Sequence, residues 1–251
     1  MYNYNNNAAE SYNSILTKFV GGKRINFSKK GSYELRCNVA VTVYNSEKRT
    51  KRQHQCEEWH LERKNGSLTA SLFGRICKLR KTTSRDKVVS YMLFGTFKGN
   101  ASTRHGIENE NIAKEQLEKV IKKEILPAGL IIDTNQPFLA VSPDGLVELD
   151  ALVEIKCPAS AKNFTPEDAI QNKKIKSCVI KNGNLFLNRN DNYYYQVQGQ
   201  LHVTNRMYCY FCIWTPKGIL IEKIQRDDHF WKTNMEVLLK TFFMDYLLKE
   251  L

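Results

Sequence analysis

The fold is decided by the stretch Ser142–Pro158, which reads SPDGLVELDALVEIKCP. It opens with a turn signature, Ser142–Gly145, and closes with the apolar run Leu152–Cys157, which has the length and composition of a strand. Polar residues after Val147 predict a second turn. Together with the strand-like run Phe138–Val141 just before it, the stretch predicts a β-hairpin.

Side chains of a strand alternate between its two faces, and this alternation sorts the residues of the predicted hairpin. Glu154 and Lys156 point to the same face. Packed behind them are Val153, Ile155 and Cys157. The preceding turn can place Asp144 beside Glu154, which brings two carboxylates and one ammonium group to a single point. By itself the pattern also fits a purely structural hairpin, because Ser-Pro-Asp-Gly is an ordinary turn.

This set of side chains has the chemistry that phosphodiester hydrolysis needs. Hard divalent cations prefer oxygen ligands, and Asp144, Glu154 and the main-chain carbonyl of Ile155 can supply them. Such a cation lowers the pKa of a bound water and offsets the charge that builds up on the phosphate. Lys156 can orient or deprotonate that water, or bind phosphate oxygens. Mg²⁺ is the expected cofactor, with two ions per site and Mn²⁺ as a substitute.

A further acidic residue comes from the predicted helix Ile107–Leu126, which Pro127 ends. Its apolar stripe includes Ala113 and Leu117, and Glu110 falls on the same stripe. A carboxylate on a buried face is costly unless it is paired or bound to metal, so Glu110 is a candidate metal ligand. The alternative is a residue of the first helical turn that faces water.

The charge balance is basic, with 38 Lys and Arg against 26 Asp and Glu and a net charge of +12. This surplus favours a polyanionic partner, nucleic acid before a membrane surface. Between Trp59 and Asn100 basic residues are interleaved with aromatic ones. That mixture fits a surface that tracks a DNA backbone, and it fits equally well a solvated basic face over aromatic core residues.

Three features bear on the compartment. No stretch is long and apolar enough for a membrane span, and the N-terminal residues do not have the pattern of a signal peptide. The 7 cysteines show no disulfide rhythm, which favours reduced thiols. We therefore expect an intracellular protein without membrane contact, in the nucleus or the cytoplasm.

The remaining patterns predict an α/β (α+β) fold. The further predicted elements are a strand Leu35–Tyr44, a helix starting at Thr165, a helix Tyr193–Val203, strands Met207–Trp214 and Gly218–Ile224, and a C-terminal amphipathic helix Asp227–Leu251. We expect a small mixed sheet that carries Asp144, Glu154 and Lys156, with helices on its faces.

Six motifs occur in an order that resembles a known family. They are Trp59-His60-Leu61-Glu62-Arg63, Leu68-Thr69-Ala70-Ser71, Gly106-Ile107-Glu108-Asn109-Glu110, Ser142-Pro143-Asp144-Gly145, Glu154-Ile155-Lys156-Cys157-Pro158 and Tyr194-Tyr195-Gln196-Val197-Gln198. The chain is similar to the YqaJ/lambda-exonuclease family of the PD-(D/E)XK nuclease superfamily. This resemblance implies a restriction-endonuclease-like core, in which a mixed central sheet is flanked by helices.

The resemblance also implies a role for each matching residue. Those matching the metal ligands of the family are Glu110, Asp144, Glu154 and, through its carbonyl, Ile155. Lys156 matches the catalytic lysine, and Gln196 matches a glutamine that helps to hold the lysine and the water. Arg63 and Ser71 match residues that bind the 5′-phosphate of DNA. An arginine fork suits phosphate oxygens, and a serine hydroxyl adds a donor.

Enzymes of this family digest one strand of linear duplex DNA from a 5′ end and leave a 3′ overhang for recombination. The resemblance therefore implies a metal-dependent 5′→3′ DNA exonuclease that acts on double-stranded DNA together with a single-strand annealing protein. Phage members form a ring-shaped trimer, so a homotrimer is a candidate assembly. The alternatives are a structure-specific or restriction-like endonuclease of the same superfamily and a catalytically silent DNA-binding recombination module.

The chain departs from the phage pattern in two places. One residue is inserted between Arg63 and Ser71, and the N-terminal residues have no counterpart in the short phage enzymes. We therefore expect two parts. Residues 1–58 form an N-terminal extension, partly ordered and offering an extra DNA contact, and residues 59–251 form the nuclease domain.

Overall fold

The computed structural model describes residues 50, 51, 53, 67–95 and 99–250. The expected strand Leu35–Tyr44 and the motif that contains Trp59 and Arg63 lie outside these residues. Within the described ranges, every helix is too short or too polar to cross a lipid bilayer.

The elements follow the mixed order that the sequence predicts. The helices of the described residues are α1 (Ala70–Cys77), α2 (Arg85–Phe94), α3 (Ala101–Ile121), α4 (Pro166–Gln171), α5 (Asn192–Val203), α6 (Asp228–Trp231) and α7 (Val237–Asp245). The strands are β1 (Leu68–Thr69), β2 (Ile131–Ile132), β3 (Leu139–Val141), β4 (Gly145–Val147), β5 (Ala151–Lys156), β6 (Cys178–Lys181), β7 (Asn184–Leu187), β8 (Tyr208–Thr215) and β9 (Gly218–Gln225).

The main sheet has the strand order β4-β5-β8-β9. Strand β5 is parallel to β8, while β4 with β5 and β8 with β9 are antiparallel, so the predicted mixed sheet is confirmed. Residues Ala151–Ile155 of β5 are buried on both faces, which explains why this strand reads as a nearly continuous apolar run. In the register, Glu154 lies opposite Phe211 and Lys156 opposite Ile213 of β8.

Strand β3 belongs to a second sheet, ordered β1-β3-β2, and a third sheet pairs β6 with β7. The expected hairpin partner Phe138–Val141 is therefore wrong. Strand β5 instead pairs with β4, because the turn Glu148–Asp150 is short enough for a tight antiparallel connection. Residues Ser142–Asp144 carry the chain from one sheet to the other.

Helix α3 is displaced from the predicted range Ile107–Leu126. It begins at Ala101 because the Asn100 side chain caps it, accepting a hydrogen bond of 2.9 Å from the backbone N–H of Thr103. It ends at Ile121, because Lys122 adopts a left-handed conformation with φ 53°. The residues up to Pro127 leave the helix, and Leu126 forms a β-bridge to Leu146.

The C-terminal helix also differs from the expectation for Asp227–Leu251. Its α-helical parts, α6 and α7, are joined by the π-helical segment Lys232–Glu236, and α7 ends at Asp245. A short 3₁₀ turn, Leu247–Lys249, follows. The prediction is right about helix type and wrong about a single uninterrupted helix.

Helices cover both faces of the main sheet, as predicted. On one face α3 contributes Ala113 and Leu117, which pack with Val153 and Cys212. On the other face α5 packs on β8, and α1 packs against α5. At Gly199 of α5 an added Cβ would lie 2.3 Å from the Phe73 ring of α1. Side chains of α5 reach the strand that carries Glu154.

Candidate active site

Glu154 is a buried carboxylate at the centre of the sheet. Its Oε1 atom accepts hydrogen bonds from Lys156 Nζ and, at 2.7 Å, from Gln196 Nε2. Its Oε2 atom accepts a hydrogen bond of 2.7 Å from Gln200 Nε2. A buried carboxylate is tolerated when it is paired and hydrogen-bonded in this way, and the two amides fix its orientation.

Helix α5 supplies both amides because Gln196 and Gln200 are one helical turn apart and face the same strand. The resemblance identified Gln196 but not Gln200, which is completely buried. The i, i+4 spacing of two glutamines on an otherwise apolar helix face was the sequence signal that could have found it. The Oε1 atom of Gln200 is buried and has no hydrogen-bond partner among the described residues.

Lys156 lies on the same face of β5 as Glu154, as strand alternation predicts. Its ammonium group is 4.6 Å from the centre of the Tyr193 ring, a cation–π contact from the first turn of α5. Burial acts to lower the pKa of Lys156, but the Glu154 and Asp144 carboxylates outweigh it and raise the pKa above its ordinary value. Lys156 is therefore positively charged in this structure, and its ammonium group is held by Glu154 and the Tyr193 ring.

Asp144 stands at the point where the chain enters the main sheet. Its Oδ2 atom accepts a hydrogen bond of 2.6 Å from the backbone N–H of Ile155, and its own N–H donates to the Val153 carbonyl at 3.0 Å. Burial, followed by the charges of Glu154 and Glu110, raises the pKa of Asp144 well above its usual range. The hairpin thus brings Asp144 beside Glu154, as the sequence predicts.

Glu110 reaches the same region from α3. Its side chain is 20% exposed and forms an ion pair of 2.6 Å with Lys114, one turn further along the helix. Its position on the inner stripe is confirmed, since the neighbouring turn carries the buried Ala113 and Leu117. Glu110 is therefore neither fully buried nor a plain solvent-facing residue of the first turn.

Three of these charged residues line a cleft of about 710 Å³, whose acidic side is formed by Glu110 and Asp144 with Ile155 and Lys156 beside them. Lining residues elsewhere in the cleft include Thr103, Ser160, Lys174, Lys176, Ser177 and Tyr193. The cleft therefore combines carboxylates with exposed lysines and hydroxyl groups, a combination suited to a phosphate backbone.

The carboxylates fit a hard divalent cation by their chemistry and by their mutual repulsion. Burial raises the pKa of Asp144 most, and repulsion from Glu154 and Glu110 adds to it; a cation between the acids would relieve this repulsion. As they stand, no three acidic, histidine or thiol side chains of the described residues are close enough to hold an ion. Glu154 and Glu110 instead make ion pairs with lysines, whose ammonium groups occupy the acid oxygens.

The 5′-phosphate pocket stays a prediction. Ser71 is exposed in the first turn of α1, where its hydroxyl is 3.3 Å from that of Thr69. Helix α1 contributes none of the described residues that line the cleft. Arg63, its expected partner, lies outside the described residues.

Residues 58–207 match the model of the YqaJ-like viral recombinase domain. The match covers more than half of the chain, and the chain belongs to this family. The matched range starts close to residue 59, where we placed the start of the nuclease domain, and it includes every residue that we predicted for the site. No curated protein matches the chain.

Solved structures of nucleases share the fold. The alkaline exonuclease of Laribacter hongkongensis is 26% identical, with a TM-score of 0.59 over 77% of this chain and 93% of that one. A phage-related exonuclease from Haemophilus somnus is 16% identical, with a TM-score of 0.51 over 73% and 96%. The shutoff and exonuclease protein of Kaposi's sarcoma-associated herpesvirus is 12% identical, with a TM-score of 0.56 over 97% and 84%. The PD-(D/E)XK-like fold is confirmed.

Replacing Gln200 by methionine is expected to lower the free energy of unfolding by about 1–3 kcal/mol, because a buried oxygen of Glu154 loses its donor. Urea unfolding followed by circular dichroism measures this loss. The matched control is Gln196→Met, which is expected to cost less because Glu154 Oε1 keeps its hydrogen bond from Lys156. Equal stability of Gln200→Met and the unaltered protein would contradict the assigned role.

Proposed function

We propose that this protein is a Mg²⁺-dependent 5′→3′ exonuclease that degrades one strand of linear double-stranded DNA and leaves 3′ overhangs for recombination. One observation carries the proposal. Asp144 and Lys156 line a single cleft, and the buried Glu154 bonds Lys156 from behind it, in a chain that belongs to the YqaJ-like viral recombinase family. The solved structure at 26% identity is an alkaline exonuclease, which supports the same activity.

The residues that would hold the metal are Glu110, Asp144, Glu154 and the carbonyl of Ile155. When bound, Mg²⁺ supplies an acidified water and neutralises charge on the phosphate. Gln196 and Gln200 keep the Glu154 carboxylate from rotating, so its oxygens are aimed before DNA arrives. Lys156 holds a positive charge at the cleft, where it binds the scissile phosphate or orients the attacking water.

The exposed lysines of the cleft would bind the DNA backbone. Lys174 and Lys176 line the cleft together with the acidic residues and are exposed. A lysine that neutralises a backbone phosphate releases a counterion, so it contributes affinity without sequence preference. Tyr193, already in contact with Lys156, offers an aromatic face to a base or sugar at the cut end.

The wider assignments belong to the same proposal. We propose residues 59–251 as the nuclease domain and residues 1–58 as an extension that adds a DNA contact. A single-strand annealing protein would receive the 3′-ended product, and a homotrimer would enclose the duplex. The expected cellular compartment is the nucleus or the cytoplasm, where the DNA substrate is found.

Three DNA substrates with Mg²⁺ test the activity. The substrates are a linear duplex with 5′-phosphates, the same duplex without them, and a closed circular duplex. Progressive loss of one strand from phosphorylated 5′ ends is the expected result. Cutting of the circle would establish an endonuclease instead, and retardation without cleavage in either Mg²⁺ or Mn²⁺ would establish a binding module.

Replacing Arg63 by alanine is expected to remove the preference for phosphorylated ends, because a guanidinium fork matches phosphate oxygens. The measurement is the ratio of kcat/KM on phosphorylated and unphosphorylated duplex. We expect a drop of that ratio by about 10-fold, the value of one charge-assisted contact. Arg75→Ala, which removes a cation standing over the Tyr91 ring, should leave the ratio unchanged. An unaltered ratio in Arg63→Ala would remove Arg63 from this role.

A further inference from the structure

Gln53, in the predicted N-terminal extension, contacts the segment that leads into Asp144. Its Nε2 atom donates two hydrogen bonds, one of 3.1 Å to the Ala128 carbonyl and one of 2.7 Å to the Pro143 carbonyl. Both protons of the amide are therefore used. The side chain joins two chain segments that lie 75 and 90 residues away in sequence.

The Pro143 carbonyl belongs to the same peptide group as the backbone N–H of Asp144. That N–H donates to the Val153 carbonyl on β5 at 3.0 Å. Gln53 therefore holds one end of the peptide group and β5 holds the other. Hydrogen bonds at both ends restrain this peptide group, which is attached to the Cα atom of Asp144. The contact therefore restrains the backbone from which the Asp144 side chain extends.

The local backbone around Gln53 is arranged for this contact. The Gln53 N–H donates to the Thr50 carbonyl at 2.8 Å, and the fully buried Thr50 accepts a hydrogen bond of 2.7 Å from the Leu130 N–H through its hydroxyl. Gln53 has φ 43°, a left-handed conformation that costs free energy in a residue other than glycine. Such a conformation persists where the surrounding bonds require it.

We propose that Gln53 is a positioning residue for the catalytic centre, acting through the Pro143–Asp144 peptide group. This inference rests on the proposed function for its effect on catalysis. It places part of the predicted extension against the backbone that carries Asp144, in addition to the expected DNA contact. Loss of the amide would let the peptide group turn, so Asp144 would lose its alignment with Ile155 and Glu154.

Gln53→Met and Thr50→Val form the test pair. Gln53→Met keeps the length of the side chain and removes both donors, whereas Thr50→Val removes the hydroxyl that accepts from Leu130 and leaves the Gln53 amide in place. The first readout is hydrogen exchange of the Ile155 amide, which donates to Asp144 Oδ2. The second is the separation of kcat from KM on linear duplex. Gln53→Glu, which keeps the length and loses the donors, repeats the test if the methionine variant does not fold.

In Gln53→Met we expect Ile155 exchange to rise about 10-fold and kcat to fall about 10- to 100-fold with KM unchanged, the size of a small misplacement of a catalytic group. Thr50→Val should keep both values near those of the unaltered protein. Unchanged exchange and kcat in Gln53→Met would overturn the proposal, as would equal effects in Thr50→Val. If the unaltered protein degrades no DNA, the proposed function fails, while the exchange readout still decides the role of Gln53.

Discussion

Lys156→Met is expected to lower the turnover of linear duplex DNA by about 10³-fold or more while DNA affinity is largely retained, because a preorganised charge at the reacting phosphate is lost. Methionine keeps an unbranched side chain of similar length and removes the ammonium group that stands over the Tyr193 ring. The same ammonium group bonds Glu154. Single-turnover cleavage measures the chemical step, and retardation of duplex DNA measures affinity.

Lys174→Met is the matched control for this variant. Lys174 lines the same cleft but is exposed and makes no ion pair with a described carboxylate. In Lys174→Met we expect weaker DNA binding, and the DNA affinity should depend less on salt concentration by the amount of one phosphate contact. Turnover at saturating DNA should be unchanged. Near-normal turnover in Lys156→Met would mean that the centre is elsewhere.

The second large effect is expected in Asp144→Asn, which should lose hydrolysis and yet melt at a higher temperature than the unaltered protein in the absence of divalent cations. Asparagine can still accept the hydrogen bond from the Ile155 N–H. It carries no charge, so it avoids the burial and the repulsion from Glu154 and Glu110 that raise the pKa of Asp144. For a chain of this size each kcal/mol gained corresponds to about 2–4 °C in Tm.

The pH dependence of this difference follows from the direction of the pKa shift. Because the folded-state pKa of Asp144 lies above its unfolded value, the folded protein binds more protons between the two values, and stability falls as pH rises through that interval. The variant should therefore gain most at about pH 8 and least at about pH 4, which lies below the raised folded-state pKa and close to the unfolded pKa, so that little of the difference remains. Melting curves in chelator at both pH values measure the difference. A variant that melts lower at the higher pH would contradict the direction of the shift.

The catalytic strand could be predicted from sequence because its signal is local. Strand alternation alone puts Glu154 and Lys156 on one face, and the turn before β4 puts Asp144 near them. The strand that pairs with β5 was harder to predict, because β3 and β4 are separated by only a few residues and both have the composition of a strand. The choice between β3 and β4 depends on which turn closes the hairpin. It also depends on the pairing of β3 with β1 and β2, and the pairing with β1 joins residues that are distant in sequence.

The i, i+4 spacing of Gln196 and Gln200 indicates that they share a helix face, but local pattern does not say that this face contacts Glu154, because that depends on the packing of α5 against the sheet. The contacts of Gln53 have no local signal. Gln53 bonds residues far along the chain. The start of α3 was missed for a different reason. Its first turns are polar, so the apolar periodicity begins later than the helix, and the capping side chain of Asn100 marks the true start.

Helix α5 carries Tyr193, Gln196 and Gln200, so one rigid body sets the surroundings of both Lys156 and Glu154. The position of this helix is limited at another of its faces, at Gly199, where an added Cβ would lie 2.3 Å from the buried Phe73 ring. A single added methyl group there would push the helix outward and shift all three side chains together. We therefore expect few substitutions to be tolerated at Gly199, because a shift of the helix at this position moves the side chains that contact Lys156 and Glu154.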